Sequence, residues 1–153
     1  MKRLASLVLA LALALTLAVP VMAAGNGTIT VENPVENQTY VAYKIFDVTY
    51  SGDAHAYTIA ADSEWYNAVS GYNGLEISAA VDGVCIVAKK SDYSAADFAA
   101  HLKNYLPADA ESTTLTKTGE TVKATGLDLG YYFVTSTTGS LCSLDTTNPN
   151  AVV

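Results

Sequence analysis

The sequence predicts a mainly β protein, a β-sandwich with one inserted helix at about 94–106, and three observations carry that expectation. Short runs rich in Val, Ile, Thr, Tyr and Phe recur along the chain, a composition that suits pleated, half-buried strands. Breaks such as Asn33-Pro34, Ser51-Gly52-Asp53, Asp82-Gly83 and Thr138-Gly139 separate these runs and are turn signals. Only Ser94–Leu106 sustains helical spacing of apolar residues. Many short strands with regular turns make a two-layer sandwich the economical way to bury one apolar face each.

The elements follow in order. Gly27–Glu32 alternates as a first strand and ends at Asn33-Pro34. Thr39–Tyr50 is the strongest β signal. Strict alternation would put Tyr40, Ala42, Lys44, Phe46 and Val48 on one face and Val41, Tyr43, Ile45 and Asp47 on the other. Apolar residues on both sides imply a central strand covered on each face. Ala56–Ala60 returns as its hairpin partner. Asp62–Val69 reads as a short helical turn with Asp62 or Ser63 as cap, both being residue types that accept from helix-start amides. Leu75–Ala79 and Val84–Ala88 flank Asp82-Gly83, a favoured hairpin dipeptide. In the helix, Ser94 with Asp97 three residues on resembles a capping arrangement, and Phe98, Leu102 and Tyr105 or Leu106 recur at helical spacing before Pro107. Thr113–Thr125 alternates weakly, and Gly130–Thr135 and Ser140–Leu144 are clear strands.

Lys2 and Arg3, the apolar run Leu4–Val19 and the small-residue stretch Pro20–Ala24 have the three-part pattern of a cleaved secretion signal. Its apolar run, roughly sixteen residues, falls short of the ~20 that span a bilayer. Residues 25–153 are then one domain. They hold six Lys, no Arg and fifteen Asp plus Glu, a formal charge of −9, which argues against nucleic acid or anionic lipid as partner. The tail ends in Ala151-Val152-Val153 without a cap or polar finish, so the domain is expected to be incomplete at its C-terminal end.

The search for chemistry returns no enzyme pattern. His55 and His101 have no Cys, Asp or His at ligand spacing, and no nucleophile elbow, phosphate loop or paired-thiol motif occurs. No catalytic residue, metal or cofactor is assigned. Cys85 and Cys142 are the two cysteines; export would permit a disulfide, and two separately buried thiols are the alternative. Trp65, Tyr66 and Tyr72 would stack on sugar if exposed or fill the core if not. Lys44 is the residue of interest, because a lysine in an apolar strand must be paired, neutralised or consumed if its face is buried. A neutral, desolvated amine beside an Asn carboxamide and a protonated acid would exchange into an isopeptide bond with loss of ammonia. Asn148 and Asn150 carry the required amide, and Asp128, Asp145 and Glu120 are candidate acids. The alternative is a stem laid on the sheet with its ammonium reaching water or a carboxylate.

The segments GTITVENPVENQTYVAYKIFDVTYSGD (27–53), SAADFAAHL (94–102) and GLDLGYYFVTSTTGSLCSLDTTNPNA (126–151) together resemble, in order as well as wording, the N-terminal domain of sortase-assembled pilin backbone subunits of Gram-positive bacteria, the fimbrial isopeptide-formation family. The resemblance implies an immunoglobulin-like sandwich, export to the cell wall or surface, and a structural role with sortase and other pilin subunits as partners. It implies polymerisation into a fibre. Family members carry an LPxTG-type sorting signal and a polymerising lysine near the end of their first domain. Neither is found up to Val153, so a fragment of a longer subunit is expected. A host-ligand or glycan-binding adhesin module is the alternative function.

Overall fold

The computed structural model describes residues 25, 27–51, 54–137, 139–145 and 150–152, and for 50, 51, 54, 139–145 and 150–152 the backbone alone. The fold is mainly β, as the sequence predicts, with strands β1 Gly27–Val31, β2 Tyr40–Ser51, β3 Ala54–Ala60, β4 Leu75–Ile77, β5 Val84–Lys89, β6 Ser112–Thr114, β7 Thr116–Thr118, β8 Thr121–Leu127, β9 Gly130–Ser136, β10 Gly139–Asp145 and β11 Asn150–Val152. Helices α1 Tyr66–Ser70 and α2 Ala95–Asn104 accompany them.

The strands form two sheets. Sheet A runs β11-β1-β8-β7 and sheet B runs β10-β9-β2-β3-β5-β4, with β6 also on β2. Every pairing is antiparallel except β1 with β11, which is parallel. β2 is central, flanked by β9 on one side and by β6 and β3 in succession on the other. Both of its faces are covered, for two reasons. Ile29, Tyr40, Ala42, Val122, Tyr132 and Val134 fill the core between the sheets. Phe46, Tyr57, Trp65, Phe98, Leu102 and Phe133 fill a second core on the helix side of sheet B. The sandwich therefore carries its helices as a third layer.

Local chemistry explains most of the elements. Asp82 and Gly83 both take positive φ, 51° and 81°, as a two-residue hairpin turn of the primed type requires. Ser94 caps α2 by accepting from the Asp97 amide at 3.2 Å, and Phe98, Ala99 and Leu102 face inward. The helix stops at Asn104, so Tyr105 and Leu106 are not its third inward position; they stand 55% and 42% exposed. The cap expected for the first helix also differs: Trp65 holds the N-cap position without a side-chain bond, and the Ser63 hydroxyl accepts from the Trp65 amide one turn earlier. The weak alternation of 113–125 resolves into a crossing strand. Ser112–Thr114 pairs with β2 in sheet B and Thr116–Thr118 with β8 in sheet A, while Leu115 between them is buried and donates its amide to Tyr40 O.

One irregularity reorders the strand that matters most. Lys44 pairs with Tyr132 and Phe46 with Tyr131, leaving Ile45 as an extra residue in β2. Such a β-bulge breaks the two-residue alternation. Tyr40 and Ala42 face the inter-sheet core, but Ile45, Phe46 and Val48 all join the helix-side core. The strict alternation read from the sequence is thus corrected: beyond the bulge Phe46 and Val48 change sides, and Asp47 comes to the face of Lys44.

Candidate functional site

The bulge explains the contact that Lys44 makes. Residues i and i+3 point to opposite faces of a regular strand, yet Lys44 Nζ lies 2.5 Å from Asp47 Oδ1. The Lys44 stem crosses Gly130, where an added Cβ would stand 2.6 Å from Lys44 Cε. The two side chains are 28% and 52% exposed, so this is a half-solvated ion pair with its stem on the sheet.

Beside it, the Tyr132 hydroxyl donates to Asp128 O at 2.7 Å. Burial, and then the carboxylates of Asp128, Asp47 and Glu111, push this phenol far above the ordinary tyrosine range. Below about pH 10 the phenol is neutral in folded and unfolded chains alike; above it the unfolded chain ionises while the folded one does not. Stability associated with Tyr132 is therefore lost as pH rises beyond 10, at up to about 1.4 kcal/mol per pH unit. Tyr132→Phe is expected to flatten that alkaline decline, measured as urea midpoints from pH 8 to 12, and to cost about 1 kcal/mol at neutral pH through the lost hydrogen bond. An unchanged alkaline slope would contradict the assignment.

Of the other cross-link candidates, Asp128 comes beside Tyr132, the register partner of Lys44. Asp128 accepts the Gly25 amide at 3.0 Å. Glu120 lies in the turn before β8 and Asp128 just after it, and the strand between them separates the two by roughly 26 Å. Asn150 stands in sheet A opposite Thr28, Asp145 in β10 opposite Tyr131, and Asn148 lies outside the described residues. Lys44 is engaged by Asp47 instead of being desolvated for amide exchange. The intact mass of residues 25–153 is accordingly expected to show no deficit of one ammonia. Lys44→Met should change stability by less than about 1 kcal/mol, as for other solvated ion pairs.

For two further sets of residues the structure selects between the alternatives. Trp65 is 2% exposed and meets Tyr43 edge-on at 5.8 Å, so it presents no face to a sugar. Tyr66 and Tyr72 pack against the same core, Tyr72 with its hydroxyl donating to Ser94 O. Among the described residues Trp65 Nε1 is a buried donor without a partner; packing has dominated its placement. Cys85 is a buried free thiol. Its strand is separated from that of Cys142 by β3, β2 and β9, about 19 Å at the usual strand spacing, against the 7 Å limit for a disulfide.

A cluster that sequence reading missed lies on the helix side of sheet B. Lys89 Nζ sits 6.0, 5.0 and 5.9 Å from the ring centroids of Tyr57, Tyr93 and Tyr131. The hydroxyls of Tyr93 and Tyr131 meet at 2.5 Å, and the rings of Tyr57 and Tyr131 are edge-to-face at 5.9 Å. Its members come from β3, β5, the loop before α2, and β9, so no local spacing announces it.

A groove of about 230 Å³ between the β1–β2 loop and the crossing strand is lined by Pro34, Val35, Leu115 and Val122, with Glu36 and Lys117 its charged residues. No group of three or more His, Cys, Asp or Glu suited to a metal occurs among the described residues, and no helix among them is long and apolar enough to cross a membrane. The chain matches no protein-family model, no curated protein and no solved structure.

Proposed function

We propose that residues 25–153 are the N-terminal part of a fibre subunit, exported through residues 1–24 and polymerised by a sortase on the surface of a Gram-positive bacterium. The role is structural, with other pilin subunits and the sortase as partners and no turnover chemistry. The observation that carries the reading, beside the sequence resemblance, is the parallel pairing of the first described strand with the last described one. Thr28, Ile29 and Thr30 of β1 lie opposite Asn150, Ala151 and Val152 of β11. Tension entering before β1 and leaving after β11 would slide these strands past each other along their length. The ladder bonds then share the force and break together, although each contributes only about 1 kcal/mol by itself in water. A domain whose end strands were antiparallel hairpin neighbours would unzip one bond at a time.

Ladders and two cores give such a brick stiffness, and the charge of −9 on residues 25–153 keeps crowded copies soluble. Cell-wall extracts of the producing bacterium, probed with antibody to the exported domain, are expected to show a ladder of detergent-resistant high-mass species that disappears when sortase is deleted. A single band of monomer mass, the same with and without sortase, would overturn the proposal.

A further inference from the structure

We propose that Asn73 is a self-modifying residue, its side chain closing on the Gly74 nitrogen to a succinimide that opens to aspartate or isoaspartate, with Lys90 as the positioning residue that promotes the step. Asn73-Gly74 lies in the turn between α1 and β4, Asn73 exposed and Gly74 buried. The Lys90 ammonium donates to Asn73 O at 2.8 Å, and the Lys90 backbone amide donates to Gly74 O at 3.0 Å. One residue of the β5–α2 loop thus holds the carbonyls on either side of the Gly74 nitrogen.

The chemistry follows from which oxygen the ammonium touches. Asn73 O belongs to the peptide group whose nitrogen is that of Gly74. When this N–H gives its proton to hydroxide, the negative charge is shared with Asn73 O, and a cation hydrogen-bonded there favours the charged form. The Gly74 N–H donates to no backbone carbonyl among the described residues, so no such bond has to break first. The nitrogen then attacks Cγ of the Asn73 carboxamide: an N–C bond forms, the C–NH2 bond breaks, and ammonia leaves with a proton taken from water. Water opens the ring at either carbonyl, giving aspartate at position 73 or isoaspartate, whose main chain runs through the former side-chain carbon. Both products place one more negative charge beside Lys90.

Packing keeps the reactive dipeptide in place. A Cβ at Gly74 would stand 2.5 Å from Tyr72 Cε1, and that ring is held by its hydroxyl, which donates to Ser94 O at 3.1 Å, and by Phe98 at 4.9 Å between centroids. The fold therefore requires glycine at 74, and glycine, having no Cβ beside its nitrogen, obstructs the attack least.

Peptide mass mapping of folded residues 25–153, incubated at neutral pH and sampled over weeks, tests this. Asn26-Gly27 is the same dipeptide; Asn26 lies outside the described residues and serves as an internal standard in each sample. Asn73 is expected to convert first to a form lighter by one ammonia and then to the hydrolysed acid. Lys90→Met should slow conversion at Asn73 about threefold relative to Asn26, the worth of an exposed charge contact, and Lys90→Gln, which keeps a donor without the charge, should slow it as well. Lys90→Arg, which keeps the charge, should hold the unaltered rate. In urea-unfolded chains the Lys90 variants should no longer differ, because the contact exists only in the fold. An Asn73 that stays intact in the folded chain, an unchanged or faster rate in Lys90→Met and Lys90→Gln, or equal slowing in Lys90→Arg would overturn the proposal.

Discussion

Replacing Phe98 by alanine is expected to destabilise the fold by about 3–5 kcal/mol, the range for a fully buried aromatic truncated in a core. Phe98 is 0% exposed and is the residue through which α2 holds sheet B. Its ring stacks on Phe46 at 6.0 Å and 8° between planes, and it meets Tyr72, Tyr93 and Tyr131 at 4.9, 6.0 and 5.8 Å. Those neighbours are anchored on β2, on β9 and in the loops before and after β4 and β5, so they cannot all close in on the void. Urea unfolding of residues 25–153 should report the loss as a shift in midpoint at unchanged slope. Tyr93 and Tyr131, which loosen with it, also flank Lys89, so Lys89 resonances should move in the same variant. A cost below about 1 kcal/mol would mean that the helix layer is not packed as described.

Gly130→Ala is expected to be the other severe change, at about 3 kcal/mol, the upper part of the range for overpacking a tight site. An alanine Cβ would stand 2.4 Å from the Phe46 carbonyl oxygen and 2.6 Å from Lys44 Cε. The lysine stem can swing aside, but the carbonyl belongs to the backbone of β2 at the bulge. Relief therefore requires the β2–β9 ladder to separate near Asp47 and Gly130, which are register partners. Amide hydrogen exchange should accelerate along β2 and β9 before it does along β1 and β8. Uniform acceleration, or none, would show that the bulge is not the point of strain.

How much of this was legible in sequence depends on whether the cause was local. The Ser94 cap with Asp97, the Asp82-Gly83 turn and the two-sided apolar pattern of β2 are decided by residues near one another in the chain, and each could be read directly. A bulge is different. Nothing in Tyr40–Ser51 marks Ile45 as the extra residue, because the choice depends on Tyr131 and Tyr132 across the ladder. Missing it reverses the side assigned to Phe46, Val48 and Asp47, and with them the partner of Lys44. The switch of sheets at Leu115 was hidden in the same way, since one buried leucine among exposed threonines reads as a weak strand. Trp65 was open to either reading in sequence, and only the third layer formed by the helices places it inside. The meeting of Tyr57, Tyr93 and Tyr131 with Lys89 needs four segments brought together and had no local signature.

Stretching residues 25–153 by their two ends in a single-molecule force experiment bears most directly on the proposed role of the paired strands β1 and β11. If β1 and β11 form the tension clamp, unfolding should occur in one high-force event, and Thr28→Pro or Thr30→Pro, either of which removes an amide from β1 without touching its buried core residues, should lower that force. Low-force unfolding in small steps, indifferent to proline at either position, would contradict a domain built to carry tension.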